Sequence, residues 1–461
     1  MTDRLALALD RASAARLIPG NKVRHIPDSP AALDAMLALI AGARSSVHFE
    51  NYIIRDDRTG RRFGDALAER ARGGVRVHVL YDALGSVGTG WRFWRELRRS
   101  GAEVRSFGPL LTSSPFQVFS RDHRKLVVVD GRDAMMGGLC IGDEWAGDPE
   151  RGRMPWRDTM LAVRGPAVAA LDGSFGRVWA SAGAPLPPDV LAPISDPCGT
   201  SALRVVDGVP AQSRAYRAVQ LLAAAAQERL WITDAYLVAP PPLYASLVDA
   251  AKSGVDVRLV LPGTSDIPVV RTFSRIGYRD LLRAGVRIFE YRGPMIHAKT
   301  MVVDREWARV GSTNLNVSSL LGNYEIDIVA ECDTLTEALA GQFRRDAAQS
   351  REIVLVERRR FPARLVRAPE SATSPPVRVR HKWSRRELQA AAGIALVQVA
   401  GGARRMVAGA LALMFALLGG LLLVFPTATS IVLASGTLAV SFGFAVYALA
   451  RRRTRRKTDA A

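Results

Sequence analysis

The chain has 461 residues, 48% of them hydrophobic, and a formal net charge of +19. That length supports two or more domains with cores of their own, and glycine and proline, at 39 and 25 residues, stay below fibrous or disordered levels. Three scattered cysteines, Cys140, Cys198 and Cys332, exclude a disulfide framework and a thiolate metal cluster, while the charge calls for an anionic partner, for which nucleic acid and anionic lipid both qualify.

At the N-terminus, MTDRLALALDRASAARL has an apolar run too short and too interrupted for a secretory signal. From Ala38, ALIAGARSSVHFENYII reads as a helix end and then a strand. FGDALAERARGGVRVHVLYD adds an amphipathic helix, a glycine turn and a short apolar strand, and WRELRRSGAEVRSF repeats helix, glycine, strand. This half ends in DHRKLVVVDGRDAMMGG, from Asp122. A stretch rich in Pro, Ala and Gly, SAGAPLPPDVLAPISDPCGTS, follows from Ser181. The series then recurs as LLAAAAQERLWITDAYLV, LYASLVDAAKSGVDVRLVLP, YRDLLRAGVRIFEY and, from Ile296, IHAKTMVVDREWARVGS. The order of elements predicts α/β sandwiches with mixed or mostly parallel sheets. The duplication predicts two such domains, 1–190 and 191–355, packed so that each supplies one motif to a shared cleft.

The segment 356–405 is strongly basic, with Arg358, Arg359, Arg360, Arg364, Arg367, Arg378, Arg380, Lys382, Arg385 and Arg386. It is expected to lie beside an anionic membrane surface. Two uncharged runs follow, VAGALALMFALLGGLLLVF from Val407 and SIVLASGTLAVSFGFAVYALA from Ser430, joined by PTAT. Each approaches the roughly 20 residues of a membrane-crossing helix, so 406–451 is expected to form a transmembrane hairpin. Arg404, Arg405 and the basic tail 452–461 flank it. The positive-inside rule then places the two α/β domains and both termini in the cytoplasm, with the protein a multi-pass inner-membrane one.

Only six lysines occur among 63 basic residues, yet Lys125 and Lys299 fall at the same place in the two repeats. HRKLVVVD gives His123, Lys125 and Asp130; HAKTMVVD gives His297, Lys299 and Asp304. On a strand, residues two apart share a face, so each imidazole and ammonium point to one anion. Two such histidines across a phosphodiester divide the labour. One attacks phosphorus, and the other protonates the leaving alkoxide and then deprotonates the incoming hydroxyl. The lysines stabilise the phosphoryl oxygens, and no metal or cofactor is required. Asp130 and Asp304 fit better as braces of the strand end than as substrate contacts. Small turns follow each motif, GGLC from Gly137 and GSTN from Gly311. They make Gly138 in the first repeat, and Ser312 and Asn314 in the second, candidates to line the phosphate pocket. Each histidine also needs a carboxylate to fix its tautomer. Asp158, following His123, and Glu325, following His297, are the candidates. Glu50, Asn51 and Asp234 end equivalent strands and are expected to line the cleft, while His25, His48, His78 and His381 are expected to be structural.

These motifs, with GDEW, WRDTMLAVRGPAV and GSTNLNVSSLLGNYEIDIV, resemble the phospholipase D superfamily, and most closely its bacterial cardiolipin synthase branch. The resemblance covers about residues 20 to 350. It implies two tandem phospholipase D-like domains forming one pseudo-symmetric unit, with His123 as nucleophile and His297 as general acid and base. It also implies that Glu325 stands behind the second histidine. Cys140 stands where the family's first turn usually has asparagine, and a thiol is a poorer hydrogen-bonding group. The implied reaction transfers phosphatidyl from one phosphatidylglycerol to another through a phosphohistidine, releasing glycerol. Hydrolysis to phosphatidic acid is the nearer alternative and a nuclease the more distant one. The expected partners are anionic phospholipid and membrane, with no nucleic acid. Trp91, Phe93 and Trp94, in GSVGTGWRFWRELRR, are candidates to meet acyl chains.

Overall fold

The computed structural model describes residues 2–108, 120–358 and 361–367, which fall in one compact unit, Met1–Lys382. After helix α1 (Thr2–Ser13), the first half runs β1 (Ile18–Ile26), α2 (Ser29–Ala41), β2 (Ser46–Asn51), α3 (Arg58–Arg72), β3 (Arg76–Asp82), α4 (Trp91–Arg99) and β4 (Glu103–Phe107). It continues with β5 (Lys125–Val129), β6 (Asp133–Gly137), α5 (Asp143–Ala146), β7 (Met160–Arg164) and α6 (Ala167–Ser181). The second half runs β8 (Ser201–Gly208), α7 (Arg214–Ala225), β9 (Arg229–Thr233), α8 (Pro241–Lys252), β10 (Asp256–Pro262), α9 (Pro268–Arg283) and β11 (Arg287–Tyr291). It ends with β12 (Thr300–Val303), β13 (Trp307–Gly311), β14 (Glu325–Glu331), α10 (Asp333–Ala348) and the hairpin β15 (Ser350–Arg358) and β16 (Phe361–Arg367).

The sheet order shows the repeat directly. From the seam outward the first half reads β1-β7-β6-β5-β2-β3-β4, and the second reads β8-β14-β13-β12-β9-β10-β11, with β15 and β16 added at its edge. In both halves three parallel strands are followed by an antiparallel one. Parallel neighbours need a crossover, which the helices supply. Side-chain caps start two of them, Asp28 accepting from Ala31 N at 2.9 Å and Asp57 from Gly60 N at 2.8 Å. Gly74 and Gly254 turn helix into strand at matching places with φ of +84° and +87°, a conformation glycine adopts without steric cost.

The seam itself is a short antiparallel pairing of β1 with β8. Behind it, inward residues of both halves share one core. Leu126, Val128 and Met136 meet Val302, Val310 and Ile328, closed by Phe175 and Trp179 of α6 and by Leu339 and Phe343 of α10. Helix α6 packs on β5 and β7 and crosses to β8, while α10 packs on β12 and β13 and crosses to β1. A second core lies under α2, α3 and α4 and includes Phe93 and Trp94, so those two aromatics are packing residues. Trp94 stacks on Tyr81 at 3.7 Å.

The expected fold class needs correction in its membrane part. Among the described residues no helix is long and apolar enough to cross a membrane, and the hairpin expected at 406–451 lies outside them, as do 368–405 and 452–461. The expectation rested on run length alone, and an uncharged run does not say whether lipid or protein covers it. The transmembrane hairpin is withdrawn, and with it the multi-pass inner-membrane placement and the cytoplasmic orientation. At the start of the basic segment, 361–367 pairs with 350–358 as sheet.

Arg157 of the first half reaches α10 of the second, donating to Asp346 through Nε (3.1 Å) and Nη2 (2.7 Å), with both side chains buried. Removing one partner leaves a buried charge unpaired. Asp346→Ala is therefore expected to cost about 3–5 kcal/mol in denaturant unfolding; a loss below about 1 kcal/mol contradicts this locking role.

Candidate active site

Strands β5 and β12 carry the two His-x-Lys segments beside the ends of β2 and β9. Lys125 pairs with Asn51, and Thr300 with Thr233. Two short parallel bridges stitch the segments to the opposite half. The His123 amide donates to the Tyr324 carbonyl (2.9 Å), and Tyr324 N to Arg121 O (2.8 Å). In the mirrored place, His297 N donates to Arg157 O (2.7 Å), and Arg157 N to Met295 O (2.9 Å). The residue after each far-side partner is a carboxylate. Accordingly His123 Nδ1 lies 3.0 Å from Glu325 Oε2, and His297 Nδ1 lies 2.7 Å from Asp158 Oδ2. The expected assignment within each repeat, Asp158 to His123 and Glu325 to His297, is thus reversed. The carboxylate comes from the neighbouring half because the bridges align residues across the seam.

Both lysines are buried, and each donates to the carbonyl of its own histidine. Lys299 Nζ also lies 2.9 and 3.0 Å from the two ring nitrogens of His297. Burial, then the Lys299 charge, lowers His297 to a pKa of about 4. Burial lowers His123 as well; Glu325 opposes the shift, and both lysines reinforce it. Lys125 likewise acts on His297, so the four groups share one site. Burial lowers Lys299 to about 8. For Asp158, burial pushes upward, but His297 and Lys299 outweigh it and hold the carboxyl at about 2. Glu325 is lowered by the same balance around His123, with Ser312 Oγ donating at 2.5 Å.

The small turns do unequal work. A Cβ at Gly138 would stand 2.3 Å from Asp158 Oδ1, so glycine makes room for that carboxylate. Its counterpart Ser312 instead supplies a hydrogen bond to Glu325. Gly311 is forced more strongly, since a Cβ there would stand 1.7 Å from Asp327 Oδ1. Asn314 is buried with Oδ1 unpartnered, while its counterpart Cys140 is a buried thiol whose pKa burial raises. Asp130 and Asp304, the third members of the two motifs and expected above as braces, sit away from the histidines. Asp130 has φ +53° and accepts from the amides of Arg44, Ser45 and Ser46; Asp304 has φ +50° and accepts from those of Gln227, Glu228 and Arg229. Each pins the turn at the far end of its strand, about 16 Å from its lysine.

Asp234 accepts from Tyr236 N and Leu315 N at 2.9 Å each, and burial raises its pKa to about 6. Asn51 holds the Leu139 carbonyl at 3.3 Å. Glu50 is fully buried, and burial raises its pKa well above the ordinary range. His48 is a core residue, stacked on Phe175 and 2.6 Å from Asp172. Burial lowers His25 and His78 to about 4, and His381 lies outside the described residues. Sequence reasoning missed the aromatic surround. Tyr52 lies 4.8 Å from the His123 ring, and Trp145, Trp156 and Tyr236 lie 5.5, 6.0 and 5.9 Å from that of His297. It also missed Arg124, which crosses the seam to the Glu325 carbonyl (3.1 Å) and to Asp207. The tyrosines follow the strand ends in ENYI and DAYLV, and that adjacency was the available signal.

The family model described as "Cardiolipin synthase, PLD-like domain" matches residues 36–144 and 219–347. Cardiolipin synthase A of Pseudomonas aeruginosa is 37% identical over 361 residues, covering 76% of this chain and 72% of that protein. Cardiolipin synthase A of Pseudomonas fluorescens is 34% identical over 345 residues, covering 74% and 72%. The crystal structure of phosphatidylserine synthase from Haemophilus influenzae aligns with TM-score 0.59 at 12% identity, covering 86% of this chain and 98% of that one, a likeness of fold.

The geometry separates orienting carboxylates from bracing ones. Asp158→Asn and Glu325→Gln are each expected to lower turnover by about 10²–10⁴ with little change in Tm. Asp130→Ala is expected to lower Tm while turnover of the folded protein stays within about tenfold. The reverse pattern in thermal melts and initial rates would discard the division.

Proposed function

The chain belongs to the phospholipase D superfamily, on its cardiolipin synthase-like branch, as an enzyme acting on phospholipid, and from that premise we propose that it transfers phosphatidyl between two phosphatidylglycerols. The observation that carries the reading is the pair of crossed imidazole–carboxylate contacts with a buried lysine beside each.

His123 is the nucleophile in this proposal. Glu325 engages its Nδ1, leaving Nε2 without a hydrogen bond among the described residues, whereas Lys299 crowds both ring nitrogens of His297. Burial and two ammonium groups disfavour protonation of both imidazoles in the free enzyme. An anionic phosphodiester placed among them offsets that penalty and favours protonation of His297. His123 Nε2 then forms the bond to phosphorus as the P–O bond to glycerol breaks, and His297 gives its proton to the glycerol oxygen. A second phosphatidylglycerol replaces glycerol. His297 takes the proton of its hydroxyl, the new P–O bond forms, and the P–N bond breaks, returning neutral His123 and cardiolipin. Lys125 and Lys299 hold the phosphoryl oxygens as charge builds on them. The apolar rings around His297 lower the local dielectric and strengthen that attraction.

Full-length protein incubated with labelled phosphatidylglycerol is expected to yield cardiolipin and glycerol. His123→Ala and His297→Ala should each lower the rate by at least about 10³-fold, with labelled lipid trapped on the protein only where His123 remains. Phosphatidic acid as the main product would favour hydrolysis; label trapped only in His123→Ala would reverse the roles.

Lysine must be charged to hold phosphate, and Lys299 titrates near 8, below its unfolded value. As pH rises through about 8 the folded protein loses that proton first, so kcat/KM is expected to fall there. A profile flat to pH 10 would remove Lys299 from this role.

A further inference from the structure

Six large apolar side chains are left in solvent at matching places in the two halves. Leu84, Val87 and Trp91, exposed at 41%, 63% and 62%, sit on the loop from β3 and the start of α4. Ile267, Phe273 and Ile276, at 43%, 53% and 70%, sit on the loop from β10 and on α9. Neither helix needs these residues for its own packing. Phe93, Trp94 and Leu97 root α4, and Tyr278 and Leu281 root α9.

Both elements are anchored to the rim of the site. Ser86 Oγ donates to the Tyr52 carbonyl (3.2 Å) and accepts from Ile54 N (3.0 Å), and the Tyr52 ring faces His123. In the other half the Tyr236 hydroxyl donates to Asp266 Oδ1 at 2.6 Å, beside Ile267, and that ring faces His297. The apolar residues therefore flank the reacting groups from two sides. Cations surround them. Helix α4 carries Arg92, Arg95, Arg98 and Arg99 against Glu96, and α9 carries Arg271, Arg275, Arg279 and Arg283 against Asp280. Arg95 lies 4.0 Å over the exposed Trp91 ring, and Arg275 of α9 is bidentate to Glu290.

We propose that the β3–α4 and β10–α9 elements form one docking surface for a lipid layer bearing anionic headgroups. The apolar tips enter the acyl boundary while the arginines stay at phosphate level. The contact is made from one side, and among the described residues no helix is long and apolar enough to cross the layer. Apolar side chains ringed by excess positive charge match a lipid interface, whereas a second copy would bring like charges together. Docking here sets the mouth of the cleft against the headgroups, so a phosphodiester reaches the histidines without leaving the layer entirely.

This inference takes its lipid partner from the reading above, but its test reads position rather than turnover. In full-length protein with Cys198 and Cys332 replaced by serine, single cysteines are introduced as Trp91→Cys, Phe273→Cys and Ile194→Cys and labelled with an environment-sensitive fluorophore. Ile194 is 82% exposed and follows Ala192 and Pro193, which lie against Gly131 at the far end of β5 from Lys125. Vesicles of phosphatidylglycerol and phosphatidylcholine should give a several-fold emission rise with a blue shift at 91 and 273, and none at 194. Phosphatidylcholine alone should give a much weaker response. No response at 91 and 273, an equal response at all three positions, or a protein-concentration-dependent change without vesicles would overturn the proposal. If cardiolipin fails to form while the probes still respond, the transfer reading falls and the docking surface stands.

Discussion

An imidazole from each half held by a carboxylate from the other is the constraint around which the molecule is organised. Asp158, Glu325, Lys125 and Lys299 are all buried, and a buried charge is tolerated only when paired. Sliding one half along the other would break both histidine contacts and strand four charges. The seam is correspondingly fastened close to the site. The bridges at Asp122–Tyr324 and Arg157–Ile296 set the register, and Arg124 and Arg157 reach across on either side.

Within that near-twofold frame the halves are not equivalent. Glu325 receives a hydroxyl from Ser312, while Asp158 receives the Trp145 indole at 3.2 Å and has Gly138 beside it. Lys125 stands opposite neutral Asn51. Lys299 instead feels the charges of Asp158 and Asp234, which partly offset the lowering by burial. Three aromatic rings surround His297, one faces His123. The proposed division into attack and proton transfer, two chemically different tasks, fits such differences better than identical surroundings would.

The repeat and the motifs were legible because they are local. A helix, a glycine turn and a strand write themselves in hydrophobic period, and His-x-Lys places two side chains on one strand face. Pairings across the seam were not legible. Asp158 and Glu325 were found as residues but attached to the wrong histidines, since spacing along the chain carries no information about which half packs where. Asp130 and Asp304 show the opposite case. Their place at the end of each motif's strand suggests a brace, and strands of five and four residues carry them to the far turn, where they accept backbone amides. Burial was equally hidden, because Trp91 and Trp94 stand three apart on one short helix and only its rotation decides which one is packed.

The exchange of carboxylates between halves also bears on descent. A solitary copy of the repeat would hold a histidine without its acid and an acid without its histidine. Such an ancestor could work only as a symmetric homodimer, each subunit completing its twin. Two copies on one chain are free of that symmetry, so Ser312 can stand where the other turn has Gly138, and Cys140 where the other has Asn314, without either choice being imposed twice.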